Sequence, residues 1–403
     1  MAHSLGSLFD GIGGFPFAGM RVGLVPVWAS EIDPFSIRVT ETRFPKMLQV
    51  GDITKLSGKE LPPVDVVCGG SPCQDLSVAR ANRAGLQGGR SVLFFEQIRV
   101  IKELRNHCES KGATADSIRP RYMVWENVPG AFSSAGGKDF QTVLEEICRI
   151  ADGNVSVPRP PGGVWKPAGA ILGDQFSVAW RTYDAQYWGL PQRRRRIFLA
   201  ADFGGHTAPK ILFEQDRLFG DSPESGEARQ GAAVRLGAGA ENPSGNPSDR
   251  STLSYMPTTA DRHRVFSQQR SNKYICNNVT STQTARQYKD STDLVLVINA
   301  TPSDGDVAGL DLRNGVENGD ISRTLLSKTT GGYALNNVHP VRVGKLVRRL
   351  TPLECERCQG FPDHWTNIPG ASDSARYRAL GNSVAIPCAQ HVLRGIACFL
   401  ETV

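Results

Sequence analysis

Cys73 carries the most evident chemistry in this sequence. It sits in Gly69-Gly70-Ser71-Pro72-Cys73-Gln74-Asp75-Leu76-Ser77, directly after the apolar run 64–68. Paired glycines let a chain turn sharply, and Pro72 fixes its own φ while restricting Ser71, so the loop holds one thiol in a defined direction. A lone cysteine is ordinarily a small buried hydrophobe, and Cys68, Cys148 and Cys398 are read that way. Polar and turn residues flank Cys73 instead, which marks a thiol able to act as a nucleophile. Only the thiolate attacks, and an ordinary thiol of pKa about 8.5 is ionised to a few per cent at neutral pH. The site must therefore favour the thiolate or accept its proton as it adds.

A second constellation lies at the N-terminus. Ser7-Leu8-Phe9-Asp10-Gly11-Ile12-Gly13-Gly14-Phe15 follows an apolar run and precedes a helical pattern. Phe9, Asp10, Gly11, Gly13 and Gly14 then form a turn that a ligand can approach closely at a helix N-terminus. About 20 residues on, Glu31-Ile32-Asp33 ends the next apolar run, where doubly wound folds place a carboxylate for ribose hydroxyls. Asp52, in Gly51-Asp52-Ile53-Thr54, adds an acceptor suited to an adenine amino group. Taken singly these are ordinary turn and capping residues; together they outline a nucleoside pocket. NAD would also fit, but the turn lacks the third glycine of the dinucleotide fingerprint, which favours S-adenosylmethionine.

Such residues need a sheet to position them. Apolar runs at 4–9, 25–30, 64–68, 122–125, 176–180 and 197–201 alternate with helical patterns at 91–104 and 140–150. That alternation predicts an α/β fold on a mostly parallel sheet, with the active site at the strands' C-terminal ends. From about His206 to Val343 the chain becomes rich in Gly, Ser, Thr, Asn, Asp and Arg, with 294–298 as its clearest strand. A structureless loop of that length inside one domain is improbable, so a second, smaller and loop-rich domain is expected. Helical patterning resumes at 348–358 and 385–400. The expected division is 1–205, 206–343 and 344–403, the last returning to the first domain. Within it, Thr351-Pro352-Leu353-Glu354 spells a capping box with proline at the first helical position.

Composition sets the outer bounds. A chain of 403 residues, 40% hydrophobic and 21% charged, suffices for two folded units. A net charge of +6 permits a polyanionic partner without requiring one. Nine irregularly spaced cysteines argue for reduced thiols rather than a disulfide scaffold. No secretory leader pattern opens the chain and no apolar run reaches bilayer length, so a cytoplasmic protein without a membrane partner is expected. Cys355-x-x-Cys358 has no second pair at suitable spacing, so no metal site is expected.

Read in order, the motifs resemble those of the DNA cytosine-5 methyltransferase family: the Phe9–Phe15 turn, the acidic pair at Glu31, Gly51-Asp52, Pro72-Cys73-Gln74, Glu126-Asn127-Val128, Gln192-Arg193-Arg194-Arg195-Arg196, the segment 348–362, and Gly381-Asn382-Ser383-Val384. The resemblance covers about 1–205 and 345–403; the middle falls where that family carries its variable target-recognition domain. Cys358 departs from the family's usual large apolar residue. The fold implied is a Rossmann-like S-adenosylmethionine-dependent methyltransferase sheet with a smaller loop-rich target-recognition domain.

The resemblance also implies roles. Cys73 adds to C6 of cytosine, so that C5 can attack the sulfonium methyl. Glu126 hydrogen-bonds the cytosine N3 and exocyclic amine, where the bland alternative is a helix cap, and Asn127 shapes the loop beside it. In the arginine run, alternation puts Gln192, Arg194 and Arg196 on one face and Arg193 and Arg195 on the other. A run of four arginines is ordinarily a solvated basic patch; here Arg194 and Arg196 are assigned to the cytosine carbonyl, the cysteine loop and nearby phosphate. Ile53, Pro72, Asn382 and Val384 complete the adenosylmethionine pocket, and Gln74, Ser77, Arg90, Asn127 and Gln192 contact the substrate.

The implied partner is double-stranded DNA, whose target base must leave the stack to be reached. Segment 85–90 is positioned to close over it, with Arg90 and Ser91 on the backbone. Arg262, Arg264, Arg270, Lys273, Arg286, Lys289, Arg313, Arg323 and Lys328 suit phosphate and base-edge contacts, and 322–333 is the expected recognition loop. A monomer is expected, acting in restriction-modification beside a cognate restriction endonuclease or in phage self-protection. The main rival is a tRNA cytosine methyltransferase on the same core; the long region between Arg196 and Arg348 favours a DNA reader. An inactive DNA-binding regulator is opposed by the intact Cys73, Glu126 and Arg194, and an amino-methylating enzyme by the absence of an Asp-Pro-Pro-Tyr loop.

Overall fold

The structure, a computed structural model, describes residues 2–71, 92–214, 263–267, 275–277, 280, 293–298, 307–311, 316–317, 341–343 and 345–402. Pro72, Cys73, Gln74, Ser77 and Arg90 lie outside the described residues, as does the expected recognition loop 322–333.

Eight strands form the large sheet: β1 (Ser4–Leu8), β2 (Val25–Ser30), β3 (Leu48–Gln49), β4 (Val66–Gly69), β5 (Tyr122–Asn127), β6 (Ala168–Leu172), β7 (Ser177–Asp184) and β8 (Arg195–Asp202). Their order is β3-β2-β1-β4-β5-β8-β7-β6. The first five pair in parallel, as the alternation predicts. From β5 onward every pair is antiparallel, so the expected parallel sheet carries an antiparallel flank. β6 and β7 are joined by a tight turn in which Gly173 N donates to Phe176 O at 2.9 Å, and a connection this short cannot carry a parallel crossover.

Alternating side chains bury both faces. Tyr122, Val124, Phe198 and Ala200 join one apolar cluster, and Met123, Trp125, Leu199 and Ala201 the other. The first face is covered by α1 (Gly14–Met20), α2 (Pro34–Arg43), α5 (Ala208–Phe213) and α8 (Ile386–Glu401), through Ala18, Val39, Ile211 and Ile396. The second is covered by α3 (Val92–Ser110) and α4 (Lys138–Cys148), through Ile98, Ile101, Val143 and Ile147. Burying each such side chain stabilises by roughly 1.5–3 kcal/mol, which fixes the helices against the sheet. No single described helix is long and apolar enough to cross a membrane.

The remaining strands are antiparallel. β9 (His263–Ser267), β10 (Ile275–Asn277), β11 (Asp293–Ile298) and β15 (Lys345–Arg349) form one sheet in the order β10-β9-β11-β15. β12 (Val307–Asp311), β13 (Val316–Glu317) and β14 (Val341–Val343) form another, in the order β13-β12-β14.

α5 packs on the large sheet beyond residue 205. Because β15 pairs with β11, Lys345–Arg349 belongs to the small sheet, and Arg348 and Arg349 are strand rather than helix. The helix starts after Thr351, whose hydroxyl accepts from Glu354 N at 3.2 Å while the Glu354 carboxylate accepts from Thr351 N at 2.7 Å. This is α6 (Pro352–Gln359), followed by α7 (Asp373–Asn382). Cys68 and Cys148 are buried thiols, whereas Cys398 is half-buried.

Candidate active site

Sheet topology gathers the chemistry along one edge. β1 to β5 run parallel, so the Phe9–Gly14 turn, Glu31–Asp33, Asp52, Gly70–Ser71 and Glu126–Asn127 all stand at C-terminal strand ends. β8 runs the other way, so its N-terminal end brings Gln192–Arg196 to the same edge. Register then makes a pair. Glu126 lies opposite Phe198, which puts Arg196 on the diagonal of the same face. Arg196 Nε is 3.1 Å from Glu126 Oε1, with both side chains largely buried. Glu126 Oε1 nevertheless accepts no well-formed hydrogen bond among the described residues, so the carboxylate is held by charge while its lone pair stays open to a donor.

The strand that leads to Cys73 is fastened to β5. Trp125 Nε1 donates to Ser71 Oγ at 3.0 Å, and Asn127 Nδ2 donates to Ser71 O at 2.6 Å. Gly70 passes so close that a methyl on its Cα would sit 3.3 Å from Glu126 Oε2. Two residues before Cys73, the backbone is thus locked beside the Glu126 carboxylate. Asn127 Oδ1 also accepts from Val128 N at 2.8 Å, which closes the turn after β5.

At the N-terminal turn, Glu31 is a backbone clamp. One carboxylate oxygen accepts from Ile32 N at 2.7 Å and Asp33 N at 2.9 Å, and the other from Gly11 N at 2.7 Å. Asp10 is buried, with Oδ1 accepting from Ser7 Oγ at 2.6 Å and Oδ2 left without a partner among the described residues. Burial, reinforced by nearby Glu31, pushes its carboxyl up to about 7. Gly14 admits no side chain, since a Cβ would lie 2.6 Å from Val384 Cγ1. Trp365 Nε1 adds a bond to Ile12 O at 2.8 Å, so the C-terminal segment is bolted onto the first turn.

The C-5 cytosine-specific DNA methylase family profile matches residues 4–150 and 170–398. The chain belongs to the C-5 cytosine-specific DNA methylase family. A protein of Escherichia phage P1 named DNA N-6-adenine-methyltransferase is 30% identical over 462 residues, covering 95% of this chain and 59% of its own length. The chain thus spans about three-fifths of that relative. Type II methyltransferase M.Sau3AI of Staphylococcus aureus is 26% identical over 430 residues, covering 94% of this chain and 92% of its own. Two solved structures share the fold over 99% of both chains at a TM-score of 0.52: Entamoeba histolytica methyltransferase EhMeth, at 13% identity, and S. pombe Dnmt2 methyltransferase, at 15%.

In this methylase the nucleoside-pocket residues fit an adenosyl group. Gly11 faces open space, Asp10 Oδ2 is an unpartnered buried polar atom, and Glu31 Oε2 keeps one lone pair for a hydroxyl. Asp33 caps α2 through Ser36 N at 3.0 Å. Asp52 caps the turn Ile53–Lys55, and its bonds from Thr54 hold its carboxyl below the usual range. Ile53 is buried beneath it, and Asn382 is exposed beside buried Val384.

The arginine run divides as alternation predicts: Gln192 and Arg194 are buried, Arg196 is largely so, and Arg193 and Arg195 are exposed. Arg194, expected at the cytosine carbonyl, is also engaged within the protein. It donates to Gly381 O at 3.3 Å and to Ser383 O, so it braces the C-terminal turn. Burial first, and then Arg196, pushes its guanidinium down to about 9, which leaves it charged at neutral pH. Gln192 is fully buried, and neither end of its amide is bonded among the described residues.

Residues that pattern reading passed over include Trp125, Ser71, Trp365 and Thr280. Trp365 carries no local signal.

Proposed function

We propose that this methylase transfers a methyl group to C5 of cytosine in a specific duplex DNA sequence, with Cys73 as covalent nucleophile. Support comes from the edge where Glu126, paired with Arg196 at 3.1 Å, adjoins the backbone that leads to Cys73. The Cys73 thiolate adds to C6, and the electron pair of the C5–C6 bond shifts towards C5. Glu126 donates or shares a proton at N3 and so offsets the charge that develops in the ring. Arg196 holds Glu126 in line. Once C5 carries the methyl, its sulfur carrier having left as a neutral thioether, loss of the C5 proton to a base and expulsion of the Cys73 thiolate would restore the ring. S-adenosylmethionine, when bound, supplies an electrophilic methyl on a positively charged sulfur. Asp10, Gly11, Glu31, Asp33, Asp52 and Val384 are the residues that would hold it. Arg194 acts as a positioning residue for the Gly381–Ser383 turn.

The basic middle region is the DNA reader in this proposal, and the extruded base reaches the edge between β4, β5 and β8. The family's type II relatives support a role in restriction-modification. A second reading, methylation of adenine at N6, draws only on the name of the phage P1 relative, which this chain spans in part.

The test is incubation with genomic duplex DNA and S-adenosylmethionine, with Cys73→Ala alongside and tRNA in a parallel reaction. 5-Methylcytosine at one short motif, lost in the variant, is the expected result. N6-Methyladenine in the DNA, or methylation of the tRNA alone, would refute it.

A further inference from the structure

The chain entering β8 is gripped from two sides. On one side, Arg194 N donates to Asp184 Oδ1 at 3.1 Å and Ala185 N donates to Arg194 O at 3.0 Å. On the other, Thr280 lies alongside Gln192 as an isolated parallel bridge. Thr280 N donates to Pro191 O at 2.8 Å, Thr280 Oγ1 donates to the same carbonyl at 2.7 Å, and Arg193 N donates to Thr280 O at 2.7 Å. Thr280 comes from the region of the small sheets, yet it is fully buried against the large unit.

Its surroundings are selective. Replacing the buried hydroxyl by a methyl removes one of the two donors to Pro191 O and leaves the backbone bond from Thr280 N alone to hold it. Cys358 Sγ of α6 lies 3.6 Å from Thr280 Oγ1, and a larger apolar side chain there would take up the space of the hydroxyl. The unexpectedly small residue at 358 thus matches the threonine at 280. Between the two bonded residues Pro191 and Arg193 sits Gln192, its amide buried and unbonded among the described residues. Three residues past Arg193 comes Arg196, which meets Glu126 at 3.1 Å. In extended chain a slip at 191–193 is carried directly to that pair.

We infer that Thr280 is a positioning residue that ties the middle region to the Gln192–Arg196 segment and so holds Arg196 in alignment on Glu126. The inference rests on the proposed function, since only a cytosine-directed site makes that alignment limit turnover.

Thr280→Val keeps the shape and loses the hydroxyl, Thr280→Ser keeps the hydroxyl, and Cys358→Leu crowds it from α6. In the full-length protein, amide exchange of the peptide 189–196 is followed beside kcat and KM. Thr280→Val should raise exchange there at least about threefold and lower kcat about five- to tenfold, with KM for S-adenosylmethionine within about twofold. Cys358→Leu should do the same, and Thr280→Ser should regain most of the loss. A fall in Tm with kcat unchanged, or Thr280→Ser as slow as Thr280→Val, would overturn the positioning role. Should the wild-type protein methylate no cytosine, the functional reading fails, and exchange in Thr280→Val still decides the anchorage: an unchanged rate refutes it.

Discussion

Asn127 donates from Nδ2 to the Ser71 carbonyl at 2.6 Å, and both residues are buried. An amide at the end of one strand therefore sets the backbone just past the neighbouring strand, two residues before Cys73. Asn127 thus serves as a fastener between the two strands.

Asn127→Leu should accordingly separate kcat from cofactor affinity. The unpaired carbonyl costs roughly 1–3 kcal/mol of stability, and kcat should fall about tenfold or more as the loop loses its register. Chemical denaturation and single-turnover methylation measure the two effects. An unchanged kcat would show that Ser71 is held well enough by Trp125 alone.

Glu126 and Arg196 should behave as one unit. Glu126→Gln should lower kcat by about 100-fold or more, because a neutral amide cannot exchange a proton at the ring. Arg196→Lys keeps the charge and loses the Nε contact. In a double-mutant cycle the combined variant should fall short of the summed effects by roughly 0.5–3 kcal/mol, and strict additivity would mean that the pair is not coupled.

Asp10 should make stability depend on pH. Its folded carboxyl titrates at about 7, against an ordinary 3.8. Between those values the native state holds a proton that the unfolded chain has released, so stability declines as pH rises through that window. Asp10→Asn should flatten this slope and gain up to a few kcal/mol at pH about 8. Urea midpoints at a series of pH values read it directly; an unchanged slope would place the ionisable burden elsewhere.

Gly14 and Val384 should show compensating effects. Gly14→Ala drives a methyl into Val384 Cγ1 and should cost roughly 1–3 kcal/mol. Adding Val384→Ala should return part of that loss, since the crowding atom is gone. Thermal melts of the two single variants and the double variant decide it, and a double variant less stable than the sum would place the crowding elsewhere.

Much of this protein is local, and local features are readable from the chain. Continuous apolar runs betray a strand buried on both faces, as at Tyr122–Asn127 and Arg195–Asp202. Thr351 and Glu354 announce a helix start because a capping box closes within four residues. Cys73, Glu126 and Glu31 stand out because turn residues and strand ends surround them. Pairing over long separations follows a different logic. Arg194 meets Gly381 across 187 positions, Asn127 meets Ser71 across 56, and Thr280 meets Pro191 across 89. Nothing near an arginine in sequence says whether its guanidinium will face a base or a pair of backbone carbonyls. That choice is made when β8 enters antiparallel beside β5 and the C-terminal turn closes over its first residues. Side-chain pattern dictates which residues are buried, whereas their partners are set by which strands and helices can pack together once the whole chain has folded.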